Sequence, residues 1–574
     1  MNPDNKSITA ITGGPAAPAG EAKASWLPMI VIALAQIQMA FNVSALPVSI
    51  GAIVREFNTQ ATIISTALVV YSLAVAGFVL LGSKIGKMFG SRLVFQVSAI
   101  LHGLAMLMMA FSRSTAVILQ AQVIAGLAAA ALVPSLVVLI ATHYRGAQQA
   151  QALGLLGASQ AAAGVLAFLV IGFLSSLFSW RVGFGIIFIL ALGILALSFR
   201  LRPVKRDLHV KIDWIGAALA GLAIILISIG FNNLNAWGVL LATPDAPFSV
   251  LGVSPAPIII IAGVMLGQGF FAWSTKRIEE KKTPLLALEV LGSPQERAAT
   301  YCLFIIAALG PAVLFLIPLY IQIIQGYSSL ETAGAIIPFS LAIFASTILV
   351  VRLFNRWPPR KIGRIGFIMV AAGLVMLAFS IFNEWDAPFV ILSLIVIGLG
   401  DGSLNTLVFN VLVSVSPREL AGDVGALRGT TNNLATGLGT AFASVLSITL
   451  LSMIIINALT QNPVISPELI EAQINLNQIE FVSNERLDDI LNETDLTPQQ
   501  KAAAVEINVL SRLRALKISF LVLAGIALLA IIPAGRLPDY TPDEVPADVE
   551  FQPAQPADTN TAGSKGIVGK IDPR

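Results

Sequence analysis

One carboxylate, Asp401, sits deep inside a long apolar run, with Asn405 four residues further on. Residues four apart share a helix face, so acid and amide make one polar patch in hydrocarbon surroundings. An ionised carboxylate in such a place is costly and must be protonated, hydrated or paired. Its possible chemistry is reversible proton uptake or capture of a polar ligand; the structural alternative is a hydrogen-bonded acid between Gly400 and Gly402. Gln38 and Asn42 repeat the spacing in an earlier run, and Gln122 lies in another. Amides in apolar helices either face a cavity or bond between helices, the latter worth about 0.6 kcal/mol on average.

A second set is basic. Lys84, Lys87 and Arg92 fall in the segment Gly82–Arg92, and Arg428 precedes Thr430-Thr431-Asn432-Asn433. These residues either anchor loops at a membrane surface or latch two parts of the chain together, Arg428 by pairing with Asp423. Gly157 and Gly164, with Ala161, Ala162 and Ala163 between them, suit close helix packing on a hinge surface. The three histidines, His102, His143 and His209, are scattered, and Cys302 is the one cysteine. Neither a metal site nor a disulfide is expected. No Gly-x4-Gly-Lys-Ser/Thr loop occurs, so no nucleotide and no other cofactor is expected, and neither is an enzyme.

The elements that position these residues follow from composition. Of 574 residues, 56% are hydrophobic and 12% charged. Soluble proteins carry about 25% charged residues, so half that charge cannot cover a water-soluble body. The net charge of +3 gives no reason to expect a nucleic-acid partner. A helix crosses a bilayer with about 20 apolar residues. Windows of that kind fall at 26–48, 61–82, 94–112, 115–140, 151–174, 182–199, 214–234, 256–274, 298–320, 332–353, 365–382, 388–412, 429–457 and 515–535. They predict an all-α integral membrane protein with fourteen transmembrane helices. The alternating ten-residue segments of a membrane β-barrel are absent from the sequence.

Basic residues set the orientation. Lys84, Lys87, Arg92, Arg200, Arg202, Lys205, Arg206, Lys211, Arg352, Arg356, Arg360, Lys361 and Arg364 all fall in connections on one side. The short connections on the other side hold Arg55, Arg113 and Arg181. The first side is therefore expected to be cytoplasmic, with both termini on it. Residues 1–25 and 536–574 read as disordered tails, with no cleaved signal peptide expected. The loop 458–514 reads as an outer lid or cap, with short helices at Ser466–Asn477 and Ser483–Asn492. In it, Thr497-Pro498-Gln499-Gln500 is a helix start: an N-cap, a proline at the first helical position and a capping-box Gln.

The chain also repeats itself. At an offset of 268, Tyr71-Ser72-Leu73-Ala74 matches Phe339-Ser340-Leu341-Ala342, Lys84 matches Arg352 and Arg92 matches Arg360. Four residues more align Gly126-Leu127 with Gly398-Leu399. The expected layout is two six-helix bundles, 26–199 and 298–535, joined by a linker, 200–297, that carries two inserted helices. Duplicated halves of this kind imply a secondary transporter that works by alternating access.

Several stretches resemble the major facilitator superfamily, and within it the fourteen-helix drug:proton antiporter group. They are Ala45-Leu46-Pro47, the glycine-containing basic loop Gly82–Arg92, Trp180-Arg181 with Phe184, Asp213-Trp214-Ile215-Gly216, residues 318–338, and Pro417–Gly439. Where the group carries ionisable residues for coupling, this chain has Gln38, Lys87 and Gln122. The resemblance implies export of amphipathic small molecules across a plasma membrane by a monomer. On that layout Gln38, Asn42, Gln122, Asp401 and Asn405 converge on a central cavity, with Asp401 as the proton-coupling group. Two alternatives stay open: an uncoupled facilitator or exporter of a neutral metabolite, and a non-transporting sensor or scaffold.

Overall fold

A computed structural model describes residues 24–464 and 496–539, except 60, 205, 208–209, 328, 355 and 385–386, together with the short pieces 487–488 and 491–492. The fourteen long helices among these residues are α1 (Leu27–Phe57), α2 (Ala61–Phe89), α3 (Ser91–Ala110), α4 (Thr115–His143), α5 (Gly146–Leu177), α6 (Trp180–Ser198) and α7 (Trp214–Asn232), then α8 (Pro255–Glu279), α9 (Pro294–Pro318), α10 (Ser329–Leu353), α11 (Pro359–Ser380), α12 (Ala387–Val415), α13 (Ala421–Gln461) and α14 (Pro498–Leu529). Thirteen helices carry a stretch long and apolar enough to cross a membrane. The remaining one, α5, covers the predicted span 151–174, and only part of its side chains are described. No strand occurs among the described residues, where two isolated bridges tie Leu241 and Val250 to Val253. The predicted helix Ser466–Asn477 lies outside the described residues, as does most of both tails; of Ser483–Asn492 only 487–488 and 491–492 are described, and these are helical. Those tail residues that are described are tied down. Ala24 exchanges hydrogen bonds with Gln148, and Arg360 binds both the Pro538 carbonyl and Asp539.

Helix starts follow local chemistry. Ser293 and Glu296 form a capping box at α9 and Thr497 and Gln500 another at α14, each with proline at the first helical position. Asp213 caps α7 through the Gly216 N–H and also holds Trp273 and Arg277 of α8. The linker pair α7 and α8 is thereby joined at one end.

Packing repeats as the sequence does. In the first half α1 packs on α5, α2 on α4, and α3 on α4 and α6; in the second, α9 packs on α13, α10 on α12, and α11 on α12 and α14. The matching glycines show why. A Cβ on Gly126 would lie 2.6 Å from the Tyr71 carbonyl oxygen, and one on Gly398 would lie 2.6 Å from that of Phe339. Both helix pairs approach so closely that a side chain would strike backbone. The two halves then meet through equivalent elements: α2 and α4 against α13, and α10 and α12 against α5. The inserted α7 touches α2 on one side and α13 on the other.

At the end opposite the basic loops, Glu56 of α1 accepts from Trp180 Nε1 at 2.9 Å and from Arg181 at 2.5 Å. Arg181 also donates to the Ser112 carbonyl beyond α3 and stacks on Phe57 and Trp180. One arginine thus binds the ends of α1, α3 and α6 together.

Two tests follow from these contacts. Replacing Gly126 or Gly398 with leucine should lower the unfolding midpoint of the purified protein, since overpacking costs about 1–3 kcal/mol; an unchanged midpoint for both would remove the close-approach argument. The Arg181 hydrogen bond holds the Glu56 carboxyl below its usual 4.5. Its contribution is therefore present above that value and lost as pH falls through the depressed one. The Trp-emission difference between the native protein and Glu56→Gln should persist from neutral pH past 4.5 and vanish only in stronger acid.

Candidate functional site

Asp401 lies on α12 and is 8% exposed. Asn405 Nδ2, one turn on, donates to both its carboxyl Oδ2 and its backbone carbonyl at 3.1 Å. The other oxygen faces α9 where that helix has no side chain: a Cβ on Gly310 would lie 3.1 Å from Oδ1. Asn405 is the only side chain hydrogen-bonded to this acid among the described residues. The arrangement leaves the carboxyl room to gain and lose a proton while keeping one amide donor in place.

The first-half amides have different neighbours. Asn42 and Gln122 bond each other reciprocally at 2.9 and 3.0 Å, joining α1 to α4. Gln38 donates to the Ala99 carbonyl at 2.9 Å and meets His102 Nδ1 at 3.2 Å, joining α1 to α3. All three amide side chains are fully buried. The five predicted cavity residues thus hydrogen-bond inside their own halves, and no bond joins the two sets among the described residues. Helical spacing places a residue on a face of its own helix, but the neighbour across from that face depends on how the helices are rotated.

The basic segment makes an ion-paired contact between the halves. Lys84 Nζ lies 2.9 Å from Asp423 Oδ1, and Lys87 pairs with Oδ2 of the same carboxylate. Asp423 stands in the first turn of α13, and its side chain is 1% exposed. The Ala287 N–H, from the segment before α9, adds a third donor at 3.4 Å. Around this carboxylate α13 presents Gly422 to Ser83, Gly425 to Pro134 and Val137, and Gly429 to Val79 and Val133. Small residues at these positions let α13 lie directly on α2 and α4.

Other predicted gate residues behave differently. Arg92 donates to the Phe199 carbonyl at 2.7 Å, inside the first half, and takes no part in the latch. Arg428 does not pair with Asp423, whose oxygens are taken by the two lysines; its guanidinium stacks 4.1 Å from the Phe409 ring centre. Gly157 of α5 faces Thr347 and Thr406 across the interface between halves, whereas Gly164 faces Ser44 of α1 in its own half. Seven residues separate these glycines by about 10 Å along one helix face, and α5 changes partner over that distance.

Comparison with known proteins agrees with this architecture. The family model of the Major Facilitator Superfamily matches residues 32–440. The chain belongs to the Major Facilitator Superfamily. It is similar to the puromycin resistance protein pur8 of Streptomyces alboniger, at 27% identity over 77% of this chain and 85% of that one. It is also similar to the multidrug efflux pump LfrA of Mycolicibacterium smegmatis, at 25% identity over 75% and 82%. Among solved structures, the human organic anion transporter MFSD10 (TETRAN) superposes with a TM-score of 0.55, at 12% identity over 88% of this chain and 98% of that one. This superfamily chain is accordingly a multi-pass membrane transporter whose relatives include drug and antibiotic efflux proteins.

Two features of the site escape sequence reasoning. One is the pairing within the latch: Lys84 and Lys87 are expected from the sequence to latch the halves and Asp423 to pair with Arg428, but no spacing says which basic residue meets the acid. The other is His102, whose partner Gln38 is 64 residues away.

Removing one member of a buried pair leaves the other charge unpaired, at a cost of about 3–5 kcal/mol. Asp423→Asn should therefore open the interface. A cysteine placed at Ser83, beside Gly422, should react with a membrane-impermeant maleimide at least about tenfold faster in that variant. Equal labelling in both backgrounds would show that the pair does not hold the interface shut.

Proposed function

We propose that this transporter exports amphipathic small molecules by alternating access, and that Asp401 couples export to proton uptake. The observation that carries the reading is a carboxyl in a membrane-spanning helix with, among the described residues, an amide as its one side-chain partner. Such a group holds a proton when shut away from water and releases it when hydrated. The halves 26–199 and 298–535 act as the moving bodies, with 200–297 as a linker and α5 as a fourteenth crossing helix. The efflux relatives support the outward direction of transport. Positive residues gather at the latch end, which supports placing that end and both termini in the cytoplasm of a plasma-membrane protein. A monomer in the lipid bilayer suffices for the cycle, because both halves lie in one chain. The substrate path runs between the halves, with Asp401 and Asn405 on its second-half side.

In this cycle the Lys84/Lys87–Asp423 contact closes the cytoplasmic side while Asp401 exchanges its proton and substrate leaves outside. Breaking the contact hydrates three charges and opens the cytoplasmic side. An uncoupled facilitator is the second reading, favoured by the uncharged Asn42–Gln122 pair in the first half.

The test uses proteoliposomes with an imposed pH gradient and a fluorescent lipophilic cation. Asp401→Asn should abolish gradient-driven flux while leaving the folded protein in the membrane with an unchanged unfolding midpoint. Flux unaffected by the substitution removes Asp401 from the mechanism. Flux unaffected by a protonophore in the native protein favours the facilitator.

A further inference from the structure

The Gln38–His102 contact contains two buried polar atoms with no hydrogen-bond partner, Gln38 Oε1 and His102 Nε2. Both side chains are fully buried. Because the amide nitrogen donates to Ala99 and faces His102 Nδ1, that ring nitrogen acts as acceptor. The ring proton of the neutral histidine then sits on Nε2, the orphaned atom. Buried polar groups are almost always satisfied, and an exception calls for an explanation. Here the exceptions fall on the two members of a single contact, one of which can titrate.

We propose that His102 is a second proton-binding residue, in the first half of the chain, and that Gln38 is its protonation-sensitive partner. The step balances simply. The Nδ1 lone pair takes one proton from a hydronium ion, which leaves as water, and the ring becomes an imidazolium with two N–H donors. The Gln38 amide then turns over about its terminal bond: Oε1, orphaned before, accepts from Nδ1–H, its NH2 group gives up both acceptors, and Nε2–H needs water as its acceptor. The Ala99 carbonyl loses the amide donor but stays within the hydrogen-bonded helix α3. Deprotonation reverses each change.

The surroundings suit a switch. On α2, Tyr71 lies edge-on to the His102 ring, the two ring centres 6.5 Å apart. On α1, one turn from Gln38, the Asn42–Gln122 pair leads to α4. Next to His102, Gly103 packs on Ala191 of α6. A change at this point therefore reaches every helix that packs on α3. The charged residues of these helices sit at their ends, with Glu56 and Arg181 at one and Lys84, Lys87 and Arg92 at the other. Among the described residues Tyr71 is the titratable side chain in ring contact with His102 from another element.

The proposal rests on the proton-coupled reading only for its role in transport; the switch can be tested without flux. The probe is the full chain in lipid nanodiscs with nitrogen-15 histidine, whose three residues, His102, His143 and His209, give few signals. The His102 signal is assigned by its loss in His102→Gln or, if that variant does not fold, by replacing the other two. At high pH the signal should show the Nε2–H tautomer. It should convert to imidazolium as the pH is lowered across the range in which the protein stays folded. Gln38→Met removes the acceptor for Nδ1–H and should lower the midpoint by about half a unit or more. A signal that stays neutral throughout, with and without substrate, overturns the proposal, and so does a midpoint unmoved in Gln38→Met. A titrating His102 with protonophore-insensitive flux leaves the switch standing and removes proton-coupled export. A non-titrating His102 with proton-driven flux does the opposite.

Discussion

The structure turns on one buried charge contact, in which the Asp423 carboxylate is shared by Lys84 and Lys87. Among the described residues it is the ion pairing that joins the two halves. Buried pairs are poor glue, because the cost of dehydrating the charges nearly cancels their attraction. That weakness suits a moving interface. Charges that are fully paired when closed and fully hydrated when open have similar free energies in both states, whereas a half-open interface leaves a buried charge unmatched. The contact therefore favours two end states over the states between them. A purely apolar seam of the same area would hold only the closed state. The glycines of α13 complete the device, since Gly422, Gly425 and Gly429 let the carboxylate reach lysines on a helix it nearly touches.

Much of the architecture was legible because it rests on composition and repetition. Apolar runs mark helices wherever the solvent is lipid, and the 268-residue offset placed equivalent helices in equivalent positions. Gly126 and Gly398 show how literal that equivalence is. Each lies on the helix backbone it must touch, Tyr71 in one half and Phe339 in the other, and these two residues are themselves partners in the offset alignment. The capping box at Thr497 was equally readable, because it is built from residues three apart.

The site was legible only one residue at a time. Spacing put Gln38 with Asn42 and Asp401 with Asn405, and each pair does share a helix face. What those faces meet depends on the rotation of the helices against each other, which no local pattern contains. Gln38 turned to His102 and Asn42 to Gln122, both inside the first half, while Asp401 turned to the bare stretch of α9 at Gly310. Arg428 failed as a latch for a related reason. Two lysines had already satisfied Asp423, so the guanidinium found the face of Phe409 instead.

On the proposed coupling, the placement of Asp401 on α12 ties proton exchange to the interface. The same helix carries Thr406, which packs across the boundary against Gly154 and Gly157 of α5. Five residues along a helix are about 7.5 Å, so any separation of the halves is felt within little more than one turn of the acid. On the proposed mechanism the carboxyl needs no gate of its own. In this structure it is held against α9 with one amide donor; where a movement of the halves admits water, it can exchange its proton. Hydration of the acid and rupture of the lysine contact are then governed by one rigid-body movement. The two sites can be coupled over a distance without a chain of residues between them.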